Sequence, residues 1–480
     1  EAASRGLKTA LLEKKDFAWA TSSATSKLIH GGLRYLANAE FGLVRESLKE
    51  RRVLQNIAPN LVYPIPMMMI HDSVCPRNKP FEIGIGLVLY DMLSFDRNRT
   101  WDPAKKIPPH RRVSPEEAML LEPGIFARGM KGASIFYDCA NAFPERLTLA
   151  FVKSAAKHGA SVSNYAEVTE FIVGPSGVGG VVARDTLTGR VLEIGSRLTV
   201  NCTGPWADIM LGKTAPGKPR ARLTRSEGIH IVTHRRVTTH VVSYMTEQGR
   251  HFFMIPWRNH TLIGTTDQPY EGSPDDYRVS AASIRGLIDE VNATLGADVV
   301  CHDDVLYAYG GLRPLVEDVS ADTYGASRRY EITDNAGDGI EGLVTVEGGK
   351  FTTSRMLAQR TVDLLERKLG RARSSSPTAG RYLWGCQIPD MRTFTLDLFR
   401  SNRDFDWDTL CFLGRNYGTE TDAVLDLART TGEFRERLDK DGEILAQVVY
   451  AVRNEMARTL EDIVLRRTGI ASLGDPGDAV

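Results

Sequence analysis

Apolar residues recurring at two different periods divide this chain into strands and helices. Lys8-Thr-Ala-Leu-Leu-Glu13 is a short apolar run closed by an acid, which predicts a buried parallel strand. Residues 41–58 set Leu43, Val44, Leu48, Val53 and Leu54 near helical spacing, with Pro59 as the stop. A further helix is predicted over 147–158, ahead of Gly159. Glu167 to Val173, Gly180 to Arg184 and Val191 to Val200 then read as strands separated by Gly- and Thr-containing turns, predicting an antiparallel meander. Residues 229–266 are strand-rich and 281–295 helical. Near the C-terminus, Leu445, Val448, Val449, Val452, Met456, Leu460, Ile463 and Val464 form one apolar helical stripe, with Gly469 as its C-cap. The polar, turn-rich stretch 371–380 predicts a linker.

Length and charge sharpen that organisation. At 480 residues the chain exceeds one simple core, so two or three domains are expected. Sixty Lys plus Arg balance sixty Asp plus Glu, which argues against a nucleic-acid binder working by bulk phosphate neutralisation. Glycine, at 43 residues, exceeds the usual share of roughly 7% and predicts many tight turns or close approaches of backbone to a ligand. Cys75, Cys139, Cys202, Cys301, Cys386 and Cys411 are scattered without a C-x-x-C pair, so no metal site or disulfide framework is indicated and a reducing compartment is expected. The longest apolar stretch, Ile83 to Tyr90, falls short of the roughly 20 residues of a membrane helix. The chain opens at Glu1 rather than Met, and its natural start is expected upstream.

The densest chemistry lies in Ala20-Thr-Ser-Ser-Ala-Thr-Ser-Lys-Leu-Ile-His-Gly-Gly-Leu-Arg-Tyr35. Small hydroxyls and backbone N–H groups at a helix start suit a pyrophosphate, and Gly31 and Gly32 let backbone approach a flat ring. Glu13 at a strand end suits a ribose hydroxyl. Two decoys fall away. Gly84-Ile-Gly86 lacks a third glycine, with Leu89 in its place, and Gly349-Lys350 is preceded by Val344 and followed by Phe351 where a phosphate loop needs Gly and Ser or Thr.

That segment, with Leu11-Leu-Glu13, resembles the FAD-dependent glycerol-3-phosphate dehydrogenases, within the D-amino-acid-oxidase-like flavoproteins. Further matches follow in order: Asn201-Cys-Thr-Gly-Pro-Trp206, Gly228-Ile-His230, Ile255-Pro-Trp257, Ile263-Gly-Thr-Thr-Asp267, Gly311-Leu-Arg-Pro314, Gly348-Gly-Lys-Phe-Thr-Thr353 and Arg466-Arg-Thr468. The resemblance implies an α/β (α+β) fold: an FAD-binding Rossmann-like domain interleaved with an antiparallel-sheet substrate domain over 1–370, then the linker, then a helical domain over 381–480. It places Glu13 on the adenosine ribose and Thr21, Ser22 and Ser23 along FAD. Lys27, Gly31, Gly32 and Leu33 fall near the flavin, the Val168 backbone at adenine, Thr203 and Gly204 near the pyrophosphate, and Gly349, Lys350 and Thr352 at the flavin end. Three departures stand out: G-x-G-x-x-G is absent, Glu227 stands where some members have Lys, and 76–95, resembling the membrane-contacting region of bacterial members, has few cations of its own. Arg97, Arg99, Lys105, Lys106, Arg111 and Arg112 follow, and two readings stay open for them: contact with anionic lipid, or a run of solvated surface charge.

The implied reaction oxidises sn-glycerol 3-phosphate to dihydroxyacetone phosphate by hydride transfer to flavin N5, with electrons passed to a membrane quinone. Arg34, Arg313, Arg328 and Lys350 are the candidate cations for its phosphate, and Tyr35 and Thr265 complete the implied substrate site. His30 and His230 match family positions. Histidine titrates near neutrality whereas arginine does not, so proton removal is assigned to His230, with His30 second, and alkoxide stabilisation to Arg313. A cytoplasmic protein, peripheral on the inner face of the cell membrane, is expected, and a homodimer is left open. Two alternatives also stay open: a related flavoprotein acting with oxygen or on another 2-hydroxy acid or an amine, and an inactive flavoprotein remnant.

Overall fold

The apolar run after Lys8 forms the strand Ala10–Leu12, parallel to Ser161–Ser163. A second parallel pair joins Thr199–Asn201 to Leu343–Gly348, extended antiparallel by Tyr330–Asp334. A computed structural model gives this architecture and describes residues 1–72, 79–125, 129–214, 223–316 and 329–474. Among the described residues Ala10–Leu12 pairs with one strand only, so Leu11 is exposed rather than buried as its pattern predicts. Burial of a parallel strand requires cover on both faces, which a two-stranded edge does not have.

The meander is Ala166–Gly174, Gly177–Asp185 and Val191–Gly195. The expected strand Val191 to Val200 divides, because the chain leaves the meander at Gly195 and re-enters the parallel sheet at Thr199. Ser196 marks the crossing, its N–H bonded to the Gly179 carbonyl and its hydroxyl to that of Thr199.

A ten-stranded sheet carries the site. Its central strands Tyr63–His71, Gly132–Ala140, Thr224–His234, Val241–Met245, His251–Trp257 and His260–Gly264 are nearly all antiparallel, the pair Val241–Met245 and Tyr63–His71 being parallel. Successive side chains on a strand point to opposite faces. Met68 and Ile70 accordingly pack with Ile229, Ile231, Met254 and Ile263 on one face, and Met67 and Met69 pack with Val232, Ile255 and Leu262 on the other. Both faces are buried, and helix α1 (Phe41–Ile57) covers part of the second with Val44 and Leu48. Helix α2 (Pro80–Leu93) follows, Pro at its first turn, with Leu87 and Tyr90 turned inward.

The C-terminal helices Met391–Ser401, Trp407–Tyr417, Thr421–Thr430 and Ala446–Asn454 enclose Leu410, Leu413, Val424, Leu425 and Ile444. Asp390 and Asp406 cap the first two, each accepting the N–H three residues on. The single stripe from Leu445 to Val464 is broken here. The helix ends at Asn454, where buried Glu455 turns to pair with Arg146 at 2.7 Å and Met456 takes a left-handed φ of 55°. A π-helical turn, Asp462–Arg467, follows, leaving Val452 and Leu460 exposed and Gly469 capping the next turn rather than a long helix. The stretch 371–380 is tied down: Ser374 donates to Glu366 at 2.6 Å and Ser376 to Glu1 at 3.0 Å.

Glu122, fully buried, illustrates how loops are fixed. Its carboxylate accepts the N–H groups of Thr238, Thr239 and His240 at 2.6–2.7 Å. Burial opposes ionisation, but these bonds, His240's side chain included, outweigh it and hold the carboxyl at about 2, below its ordinary 4.5. A depressed folded pKa stabilises above about 4.5, and that stabilisation is lost as pH falls toward 2. Glu122→Gln is therefore expected to cost about 2–3 kcal/mol at neutral pH. In urea unfolding its deficit should shrink between pH 4.5 and 2, and a constant deficit would contradict the ion's role.

Candidate active site

The loop 18–35 is held in a strained course. Ala18, Ala20 and Lys27 have positive φ, three of eight such non-Gly residues among those described, and strain of this kind gathers at functional sites. Thr21 donates its hydroxyl to the Leu312 carbonyl at 2.7 Å, and Gly311 is required there because a Cβ would stand 2.8 Å from that of Ala24. Ser22 lies in the same turn, and the Ser23 hydroxyl bonds the Ala20 carbonyl at 2.9 Å. Lys27 pairs with buried Glu145 at 2.8 Å and lies over the rings of Tyr309 and Trp257. Its charge is thus already compensated.

At one end of the site stand His30, Gly31, Gly32, Leu33, Arg34, Tyr35, Lys350 and Thr352. Thr352 accepts the His30 N–H at 3.3 Å, and the Lys350 ammonium reaches the Gly31 carbonyl at 3.5 Å. Arg34 and Lys350 both lie over the Tyr35 ring, at 4.4 and 4.9 Å, while Leu33 packs into the sheet's second core. Gly349, at φ 89°, delivers Lys350 from the end of Leu343–Gly348. Burial, opposed by Asp138 and reinforced by Arg34, pushes the Lys350 ammonium down to about 7. Burial with Lys350, Arg34 and Arg51 nearby takes His30 to about 3. Two cations thus share one aromatic ring.

At the other end, Thr224–His234 pairs with Val305–Leu315 so that His230 faces Tyr309 and Ser226 faces Arg313. The His230 ring stacks on Tyr309 at 5.1 Å and its Nε2 bonds the Ser26 hydroxyl at 2.9 Å, while Nδ1 is buried with no protein partner. Burial, then Arg313 and Lys27, hold the imidazole at about 3, so it is neutral at pH 7. Arg313 donates to Thr265 Oγ1 at 2.7 Å and to the carbonyls of Thr266 and Glu227. Gly228 lets the guanidinium lie directly over its backbone, since a Cβ there would push it aside.

The remaining sequence candidates line the approach. Glu13 bonds the Ala166 N–H through its carbonyl at 2.8 Å, bringing it beside the meander strand that holds Val168. Its carboxylate accepts the Lys15 N–H and is raised by burial. The Thr203 hydroxyl bonds Asn201, and Gly204, at φ 55°, leads to Trp206, whose ring lies 5.6 Å from Trp19. Arg328 and residues 76–78 lie outside the described residues. Sequence reasoning missed Tyr309, Ser26 and Asp138. Tyr307, Tyr309, Gly311 and Arg313 share one face by the two-residue period, and that signal was available for Tyr309. Lys105 needs correction: it is buried, its ammonium bonded to the carbonyls of Pro59 and Val62 in the turn after α1, and it cannot face lipid.

Comparison with known proteins assigns this architecture. Residues 1–364 match the FAD dependent oxidoreductase family, and 351–480 match the C-terminal domain of alpha-glycerophosphate oxidase. A glycerol-3-phosphate dehydrogenase of Synechocystis sp. is 36% identical, the alignment covering 98% of this chain and 86% of the relative. An aerobic glycerol-3-phosphate dehydrogenase of Staphylococcus aureus is 31% identical over 98% and 84%. The crystal structure of the Bacillus halodurans glycerol-3-phosphate dehydrogenase complexed with FAD superposes with a TM-score of 0.76 at 27% identity, covering 98% of this chain and 83% of that one.

Proposed function

Since the chain belongs to the FAD-dependent oxidoreductase family, among the glycerol-3-phosphate dehydrogenases, we propose that it oxidises sn-glycerol 3-phosphate to dihydroxyacetone phosphate and delivers the electrons to a membrane quinone. The observation that carries the substrate is the placement of Arg34 and Lys350 over one tyrosine ring, across the loop from His230 and Arg313. A phosphate dianion suits two cations, whereas a lone carboxylate is commonly held by one arginine clamp.

The residues present fit FAD. The strained backbone of 18–27, the diglycines 31–32 and 348–349, and the orphaned Nδ1 of buried His230 all favour a bound group lying along this loop. Glu13 would hold its ribose, Thr21–Ser23, Thr203 and Gly204 its phosphates, Val168 its adenine, and Gly31, Gly32, Leu33, Lys27, Gly349 and Thr352 its ring end. When bound, FAD accepts the hydride that leaves the substrate carbon. The protein does the rest: Arg34, Tyr35 and Lys350 fix the phosphate, and Arg328 is proposed as a further cation. Thr265 and Arg313 orient the secondary alcohol, His230 takes its hydroxyl proton, and the Arg313 charge stabilises the alkoxide as it forms. Anaerobic mixing of the FAD-loaded protein with glycerol 3-phosphate should bleach the flavin band near about 450 nm, and an unbleached band overturns the substrate.

Lys350 gives this reading a pH signature. With a pKa near 7 in the empty pocket, it loses charge above that pH, and a dianion beside it restores the proton. Substrate binding should therefore weaken progressively from pH 7 to 9 and take up protons, seen by calorimetry in buffers of different ionisation enthalpy. A dissociation constant unchanged over that range would remove Lys350 from the phosphate site.

The quinone reading draws support from α2. Phe81, Ile85, Val88 and Met92 recur at helical spacing on its outer face, with Phe95 beyond, and Phe81 is 76% exposed. Exposed Arg99, Lys106, Arg111 and Arg112 follow nearby. Such a face suits the interfacial layer of an anionic bilayer. No helix among the described residues is long and apolar enough to cross one.

A further inference from the structure

Tyr90 and Gly31 meet although 59 positions separate them in the chain. Tyr90 lies on the inner side of α2, 2% exposed, opposite the face that carries Phe81 and Met92. Its oxygen accepts the Gly31 N–H at 2.9 Å, and its hydroxyl is 2.8 Å from both carboxylate oxygens of Asp138. Burial raises the phenol well above its ordinary range, so it stays a donor to that carboxylate. Asp138 is buried as well and is held by Arg51 at 2.5 Å, which also bonds the Tyr137 carbonyl. The Gly31 N–H also points at Asp138 Oδ1, at 3.2 Å, so the Tyr90 oxygen and the carboxylate it binds share that amide.

The other side of the same residue faces the anion pocket. The Gly31 carbonyl lies 3.5 Å from the Lys350 ammonium, and Gly32 presses against the Tyr35 ring so closely that a Cβ would stand 2.4 Å from it. A Cβ on Gly31 would come within 2.3 Å of the Tyr90 oxygen. Backbone that could rotate freely, being diglycine, is thus fixed from one side by the Tyr90 phenol together with Asp138, and from the other by Tyr35 and Lys350. We propose that Tyr90 is a positioning residue for the anion pocket: from the inner face of α2 it fixes the Gly31 backbone on which Lys350 is set, so that the seating of α2 determines substrate affinity. This rests on the glycerol 3-phosphate reading for its substrate, but not for its geometry.

Tyr90→Phe in the FAD-loaded full chain tests it, since the ring stays and only the hydroxyl leaves. KM for glycerol 3-phosphate should rise about tenfold while kcat changes less than about threefold, the pattern of lost ground-state binding. Amide hydrogen exchange at Gly31, measured with and without FAD, should accelerate at least about tenfold. A hydroxyl that merely stabilised the fold would lower Tm without moving either the KM-to-kcat split or exchange at that one amide. Wild-type exchange at Gly31 in the variant overturns the proposal. If the variant proves too unstable, Phe136→Leu, which loosens Tyr90 through its edge-on ring contact at 5.8 Å, should give the same two changes in smaller degree. If glycerol 3-phosphate fails to reduce wild-type flavin, the substrate reading falls, and the exchange result still decides the role of Tyr90.

Discussion

His230→Asn is expected to slow anaerobic flavin reduction by glycerol 3-phosphate about 10²–10⁴-fold, the usual worth of a positioned general base. Asparagine keeps a polar group near the Nδ1 position but cannot take a proton. The imidazole is neutral across the working range because burial, Arg313 and Lys27 hold it at about 3. So low a value makes it a reluctant acceptor in the empty site. A bound dianion opposes the charges of Arg313 and Lys27 and brings the imidazole back up, so proton uptake becomes favourable only with substrate present. Nδ1, buried without a protein partner, and Nε2, on Ser26, leave one ring nitrogen free for substrate. Stopped-flow reduction of both variants decides the assignment: His30→Asn should slow the step less than about tenfold. A His230→Asn rate within about threefold of wild type would transfer the base elsewhere.

Asp16→Asn is expected to cost about 3–5 kcal/mol of stability, the price of removing one partner from a buried ion cluster. Asp16 is wholly buried between Arg466 at 2.8 Å and Arg467 at 2.7 Å, with Asn164 bonded to its other oxygen at 3.1 Å. Both arginines come from the π-helical turn Asp462–Arg467, so the cluster fastens the C-terminal region to the loop that follows Ala10–Leu12. An amide there would leave Arg467, for a charge partner, only its longer 3.7 Å approach to Glu455, while Arg466 retains Asp462 at 2.7 Å. Urea unfolding should show the loss, and Arg467→Met added to Asp16→Asn should recover part of it by removing the stranded charge. A single-variant loss under about 1 kcal/mol would mean that the cluster is solvated in solution.

Much of the architecture is legible because it is written at short range. The helix Phe41–Ile57, the helix Ala281–Leu295 and the meander follow from periods of 3.6 and 2 that any window of the chain displays. The resemblance of the ordered motifs implies Gly31, Lys350, His230 and Arg313 in one site. Local pattern failed where a charge was satisfied from afar. The C-terminal stripe breaks because Glu455 is drawn to Arg146, and Lys105 turns inward to the Pro59 and Val62 carbonyls, which lie more than forty residues away in sequence.

The sequence by itself determined the element types, the family and the set of residue types at the site. Only the tertiary structure decided that Tyr309 stacks on His230, that Arg34 and Lys350 share the Tyr35 ring, and that Tyr90 reaches Gly31 from the helix with the exposed apolar face. The reason is physical. Periodicity fixes which way a side chain points within its own element, whereas its partner is set by strand register and by burial, which force polar groups distant in the chain to satisfy one another.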